Sequence, residues 1–315
     1  MNVFPTSRAF ELPVLAEQQR WLIEDLWADE AVGVIGGEPK SNKSVLALDM
    51  SVAVASGTPC LGRFAAMQKG RVLVFAAEDA QHVVRSRLDG LSHSHGVDFE
   101  SLDVHVITAP SLRLDLESDR RLLVTTVELL KPKLLVLDPF VRLHRRDENV
   151  SAEVAPLLAH LRELQRRCSL AVVLVHHAKK GASHMRGGQA LRGSSELHAW
   201  GDSNLYLGRT GDRLTLVAEH RAAACVGPLD IELHVAGELM ALRVEQQQRA
   251  PEPQPVSSIE DLVRQAFAGA GGALTFGELR TACRIRTQRL YQTLAQLTAA
   301  GQIEKTPAGY RLRAA

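Results

Sequence analysis

Gly37-Glu38-Pro39-Lys40-Ser41-Asn42-Lys43-Ser44 lies between a short apolar run, residues 31–36 (AVGVIG), and a segment with apolar residues at helical spacing, Lys43–Ser56. Strand, glycine-led turn, Lys-Ser and helix follow the layout of a phosphate-binding loop, GxxxxGK[ST], with one departure. Asn42 stands where the pattern has its last glycine. Such a loop turns backbone N–H groups around a phosphate, sets its lysine on the outer phosphates and offers its hydroxyl to Mg²⁺. Gly37, Glu38, Pro39, Lys40, Ser41, Asn42, Lys43 and Ser44 are therefore the candidate nucleotide-binding residues. Asparagine is among the non-glycine residues that best tolerate a left-handed backbone, so the departure weakens the motif without cancelling it. An ordinary strand-to-helix turn would leave Lys43 unexplained, because a cation at a helix N-terminus is unfavourable unless an anion sits there.

Outward from this loop the chain alternates strand-like and helix-like segments. Residues 71–77 (RVLVFAA), 103–108 (DVHVIT), 133–138 (KLLVLD) and 170–176 (LAVVLVH) read as strands. Residues 80–91, 119–130 and 151–168 read as helices. Continuous apolar strands separated by helices predict an α/β fold with a parallel sheet covered on both faces. After Gly201 the runs become short and alternating, at 203–207, 213–219, 229–234 and 240–244. That pattern predicts antiparallel strands extending the same sheet.

The 315 residues suggest two domains. Hydrophobic residues at 45% and charged residues at 23% exclude a disordered, collagen-like or coiled-coil chain. The formal net charge of +1 gives no global attraction to nucleic acid or membrane, so such binding needs a local patch. Cys60, Cys168, Cys225 and Cys283 are scattered, which suggests neither zinc site nor disulfide framework. No run spans a bilayer and the N-terminus does not read as a secretory signal, so no membrane and a cytoplasmic setting are expected. The Pro/Gln-rich stretch near position 250 (EQQQRAPEPQPVSS) reads as a linker. It divides the chain into residues 1–245, a linker at 246–257, and a tail at 258–315.

Two acidic positions follow. LLVLD ends in Asp138, at the carboxyl end of a strand, where ligands bind in such sheets. Its expected role is to support Mg²⁺ through water, together with Ser44. In FAAED, Glu78 is placed to orient and deprotonate an attacking water, with Asp79 as rival or as helix cap.

These motifs, with LVHH at His176-His177, come in the order found in RecA-like ATPases. More narrowly the chain resembles the RepA-type branch, related to hexameric replicative helicases of plasmids and phages, over roughly residues 23–244. The resemblance implies a RecA-like P-loop fold, ATP and Mg²⁺ bound between subunits, a homo-oligomeric ring (a hexamer in the family) and DNA as partner. It implies Glu78 as catalytic base and Lys43 on the phosphates. His176 or His177 is implied as sensor of the γ-phosphate. The stretch AKKGASHMRGGQALRGSSE, with Lys179, Lys180, Arg186 and Arg192, corresponds to a mobile loop facing the ring channel. Arg192 is also a candidate for coupling that loop to phosphate. Arg209, in NLYLGR, is implied as the arginine finger reaching a neighbour's nucleotide. A second basic stretch, Arg142-Leu143-His144-Arg145-Arg146, either contacts nucleic-acid phosphates, stabilises a subunit interface or is an exposed charge cluster. Trp21 and Trp27 read as packing residues.

The tail carries eight basic residues against four acidic ones, so the near-zero total hides an asymmetry. A helix at 259–267, a second helix with Thr275 as N-cap and Glu278 three residues on, a third from Thr287 and a final hairpin resemble a small winged-helix domain. Arg286, Arg289 and Gln292 are then the candidate nucleic-acid contacts, for DNA or RNA. The sequence as a whole reads as a DNA-dependent ATPase or helicase of plasmid or mobile-element type. The alternatives are an ATP-controlled oligomeric switch that does not unwind, or an ATP-driven recombination mediator.

Overall fold

The continuous apolar runs become parallel strands because neither of their faces meets water. In the computed structural model these are β3 (Val32–Gly37), β4 (Val72–Ala76), β5 (Val104–Val106), β6 (Leu134–Asp138) and β7 (Ala171–His177). The structure describes residues 4–12, 14, 16–177, 195–211, 213–237, 239–245, 262–264, 266–267, 272–283 and 287–313. Before the first core strand, β1 (Trp21–Ile23) and β2 (Trp27–Ala28) form a small antiparallel pair. After β7 and the short helix α5 (Ser195–Trp200), β8 (Ser203–Thr210) joins β3 in parallel, and β9 (Arg213–His220), β10 (Val226–Ala236) and β11 (Leu239–Val244) continue antiparallel. Among the described residues this makes one nine-stranded sheet, in the order β11-β10-β9-β8-β3-β7-β6-β4-β5. The edge strand β5 is shorter than the run 103–108 suggested.

Alternation along each strand sorts side chains into two cores. Val72, Val74, Leu134, Val136, Val173 and Val175 face α1 (Lys43–Ser56) and α2 (Gln81–Ser94). Leu73, Leu135, Leu137, Val172 and Leu174 face α3 (Glu117–Leu130) and α4 (Ser151–Cys168). Helix α1 is buried almost all round, which explains its nearly unbroken apolar sequence. Its one buried carboxylate, Asp49, accepts from the Leu61 N–H at 2.7 Å and meets His95 Nε2 at 2.9 Å. The other His95 nitrogen lies 2.6 Å from the Thr58 hydroxyl, so the ends of α1 and α2 are tied by a satisfied polar chain.

The close approach of β3 to β8 depends on glycine. A Cβ on Gly33 would fall 1.6 Å from the Ser203 carbonyl oxygen, and one on Gly37 2.7 Å from the Leu207 carbonyl oxygen. Buried Trp27 packs beside Gly33, and its indole N–H donates to the Ala31 carbonyl at 3.3 Å. Among the described residues no helix is long and apolar enough to cross a membrane.

The chain divides into two compact units, residues 1–245 and 246–315. In the second, residues 262–264 and 266–267 are helical, followed by α6 (Phe276–Cys283), α7 (Thr287–Ala299) and the hairpin β12 (Ile303–Thr306) and β13 (Gly309–Leu312). Val263, Phe267, Leu279, Leu290, Leu294, Leu297 and Ile303 form its core. Thr275 and Glu278 make the reciprocal cap expected from their spacing. The Thr275 N–H donates to Glu278 Oε2 at 2.8 Å, and the Glu278 N–H to Thr275 Oγ1 at 3.3 Å.

Gly33→Ala tests the strand approach. The contact is with backbone, so β3 and β8 must separate; overpacking of this kind costs about 1–3 kcal/mol or more. The variant is expected to lose thermal stability measurably by calorimetry, whereas Gly96→Ala, whose Cβ position is open, changes it less despite its left-handed backbone.

Candidate nucleotide site

The loop joining β3 to α1 wraps on itself. Asn42 has φ 62° and ψ 24°, the left-handed conformation that its place in the motif demands. Lys40 has φ 63°. The Glu38 carbonyl is the hub: the Ser41 N–H donates to it at 3.3 Å, the Ser41 hydroxyl at 2.8 Å and Lys43 Nζ at 2.7 Å. Lys43 is thereby held at the start of α1, only 5% exposed.

Strand alternation decides what faces this loop. Asp138 shares parity with Leu134 and Val136, on the α1 side of the sheet, and is 9% exposed. The Ser44 hydroxyl donates to it. Burial lifts the Asp138 carboxyl to about 6; the Ser44 hydrogen bond and Lys43 oppose the rise, and Asp79 and Glu78 reinforce it. Burial likewise pushes the Lys43 ammonium down to about 8, against the attraction of Asp138 and Glu78. A cavity of about 240 Å³ lies between these groups, bounded by the loop, Ala76, Glu78, Asp79, Asp138 and His177.

Glu78 and Asp79 both border the cavity, and each has an arginine. Arg142 Nε donates to Glu78 Oε1 at 2.7 Å, while Arg87 from α2 pairs with Asp79. Arg87 itself lines the cavity and was not anticipated. It stands nine residues past Glu78 in a helix, where no motif marks it; only its helical register toward the strand ends could have shown it.

Strand register separates the two histidines, His176 and His177. His176 shares parity with Val172 and Leu174, so it points to the α4 side, 1% exposed. There its Nδ1 lies 3.6 Å from Glu148 Oε1, and its ring meets Phe140 edge-on at 6.2 Å. His177, one residue on, faces the loop and borders the cavity with Val175. The period-2 register along β7 carried this signal. The basic stretch 142–146 is likewise not one charged face, because Leu143 and His144 are buried. Burial holds His144 below the ordinary imidazole range.

Arg209, near the end of β8, is exposed, and its Nη1 donates to the Lys40 carbonyl at 3.4 Å. Within the chain it therefore rests on its own loop. Arg289 and Gln292 lie exposed on α7 of the second unit. Lys179, Lys180, Arg186, Arg192 and Arg286 lie outside the described residues.

Comparison with protein families places this arrangement. The AAA_25 family, described as an AAA domain, matches residues 4–183. The chain belongs to the AAA_25 family. Among solved structures, this AAA_25 protein is similar to one described as an ATPase domain. The match has a TM-score of 0.54 and 12% identity over 70% of this chain and 87% of that one. It is also similar to a DnaB-like replicative helicase solved for its interactions with primase, with a TM-score of 0.52 and 12% identity over 68% of this chain and 57% of that one. The fold is that of RecA-like P-loop ATPases, and the mostly parallel sheet with its antiparallel extension is as the sequence predicted. Family and fold together support an ATPase. The donor set of the site also suits a divalent cation, with the Ser44 hydroxyl set against a buried carboxylate.

The buried carboxylate gives a pH test. Asp138 ionises near 3.8 when unfolded and about 6 when folded. Its contribution to stability is therefore fully present below about pH 3.8 and lost as the pH rises through 6. Asp138→Asn removes the penalty of the ionised form. In nucleotide-free protein the variant is expected to melt about 3–6 °C above wild type at pH 7.5. The gap should shrink as the buffer is taken to pH 5; a gap independent of pH would refute the burial account.

Proposed function

We propose that this AAA_25 protein is an ATP-hydrolysing motor acting on DNA, of the ring-helicase kind used in plasmid or mobile-element replication. One observation carries the reading. The carboxyl ends of four neighbouring strands, β3, β7, β6 and β4, bring the P-loop, His177, Asp138 and Glu78 around a single cavity. The similarity of the fold to helicase ATPase domains supports it.

In this reading the loop N–H groups and Lys43 hold the phosphates, and Ser44 with Asp138 would hold Mg²⁺, which would supply positive charge against the phosphate oxygens. Glu78 accepts a proton from water as that water attacks the γ-phosphorus, and Asp79 anchors Arg87. For Glu78 to act, its ion pair with Arg142 must open; both partners are solvent-exposed, so the pair is easily broken. His177 takes the sensing role. Arg209 serves a neighbouring subunit's nucleotide after leaving the Lys40 carbonyl, in a ring of six. The basic residues Lys179, Lys180, Arg186 and Arg192 are the proposed contacts to the translocating strand. The second unit is a winged helix whose Arg286, Arg289 and Gln292 contact nucleic acid.

The engagement of Glu78 by Arg142 favours a second reading, an ATP-controlled switch that binds nucleotide and seldom turns it over. Steady-state ATP hydrolysis with and without single-stranded DNA separates the two. A motor gives strong stimulation by DNA. Lys43→Ala and Glu78→Gln then lower turnover about 100-fold or more, Glu78→Gln with nucleotide affinity retained, while Asp79→Asn has a smaller effect. Nucleotide binding without hydrolysis in any sample would leave the switch.

A further inference from the structure

The second unit has a cleft of its own. Phe276 at the start of α6, Tyr291 on α7, Lys305 and Tyr310 on the hairpin and the turn around Pro307 border an open, shallow depression of about 520 Å³. That volume is in the range of ligand-sized clefts. Its floor is fixed by backbone. Leu274 and Tyr310 exchange N–H···O bonds of 2.8 Å each, and Gly309, at φ 129°, comes so close that a Cβ there would lie 2.3 Å from the Leu274 carbonyl oxygen. The Thr275–Glu278 cap holds the wall formed by α6.

What lines this floor is aromatic and cationic. Helix α7 gives Leu290, Leu294 and Leu297 to the core, yet its Tyr291 is 65% exposed. The Lys305 ammonium lies 5.9 Å from the centroid of the Tyr310 ring and has no carboxylate partner among the described residues. The nearby carboxylates are engaged elsewhere: Glu278 with Thr275, and Glu304 with Arg311 at 2.5 Å and Arg313 at 3.7 Å. The cleft thus offers ring faces beside a cation that makes no ion pair among the described residues.

We infer that this cleft binds unpaired bases of a single-stranded nucleic acid, a base stacking on Tyr291 while Lys305 meets a phosphate. Aromatic faces beside cations are how proteins hold single strands without reading their sequence, because every base has a π-face. A duplex hides those faces. The site is distinct from Arg289 and Gln292, which would read a groove. It deepens the nucleic-acid reading above and rests on that reading only for its ligand class.

The test uses the full chain and fluorescein-labelled oligo(dT), with a blunt mixed-sequence duplex of equal length for comparison. Tyr291→Ala is expected to weaken oligo(dT) binding about tenfold. Tyr291→Phe should stay near wild type, and Lys305→Ala should weaken binding and flatten its salt dependence. Duplex affinity and DNA-independent ATP hydrolysis should not change with Tyr291→Ala, and ultraviolet crosslinking of oligo(dT) should mark the Tyr291 peptide. Undiminished oligo(dT) binding by Tyr291→Ala, with DNA-stimulated hydrolysis intact, would overturn the cleft alone and leave it a peptide surface. Equal losses for strand and duplex would overturn it as a single-strand site. Failure of wild type to bind either nucleic acid or be stimulated by it would overturn both readings.

Discussion

Lys43 and Asp138 are opposite charges placed almost wholly out of water, and the large unit is organised around keeping them there. Burial drives each toward its neutral form, and their mutual attraction only partly compensates. The remaining support comes from fixed polar groups, the Glu38 carbonyl for the ammonium and the Ser44 hydroxyl for the carboxylate. Both depend on β3 and β6 ending at the same edge of the sheet with β7 between them. A well-packed apolar pair of the same volume would be at least as stable. The charges therefore hold a polar cavity open at some cost to the fold, which a bound phosphate and cation would offset.

The same economy of backbone appears in the loop. Lys40 and Asn42 are both left-handed without being glycine. For a residue with a Cβ this conformation costs about 1–2 kcal/mol, less for asparagine. It is sustained by the three donors gathered on the Glu38 carbonyl and by Gly37, where no side chain fits between Leu207 and Ser41. Asn42 thus does the geometric work of the missing glycine, and the motif survives the substitution because it is a backbone shape before it is a set of letters.

Much of this was legible in the sequence because parallel strands are buried on both faces and read as unbroken apolar runs. The loop, Asp138 and the Thr275–Glu278 cap depend on local spacing and were found where spacing placed them. Of the pair His176-His177 only His177 borders the cavity, because adjacent strand residues face opposite layers and the motif alone does not say which layer lines the cavity. Counting from Val173 and Val175 would have chosen His177. The pairing of Glu78 with Arg142 spans 64 residues, and Arg87 reaches the cavity only through the packing of α2; neither has a local signature.

The segment after Asp138 explains why these pieces cannot be treated separately. Within ten residues it carries Asp138 against the loop, Arg142 against Glu78 at the end of β4, and buried His144 beneath β7. His144 Nε2 lies 3.8 Å from Glu148 Oε1, the same oxygen that His176 Nδ1 approaches to 3.6 Å, and the ring of Phe140 packs against both histidines, 4.5 Å from the His144 centroid and 6.2 Å from that of His176. His176 is bonded in sequence to His177 at the cavity. The exposed Arg142 side chain can leave Glu78 by rotating alone, while the rest of the segment stays packed beneath β7. The segment thus supplies both the cavity's carboxylate and the packing under the strand that carries His177, so the two sides of the sheet share one connection.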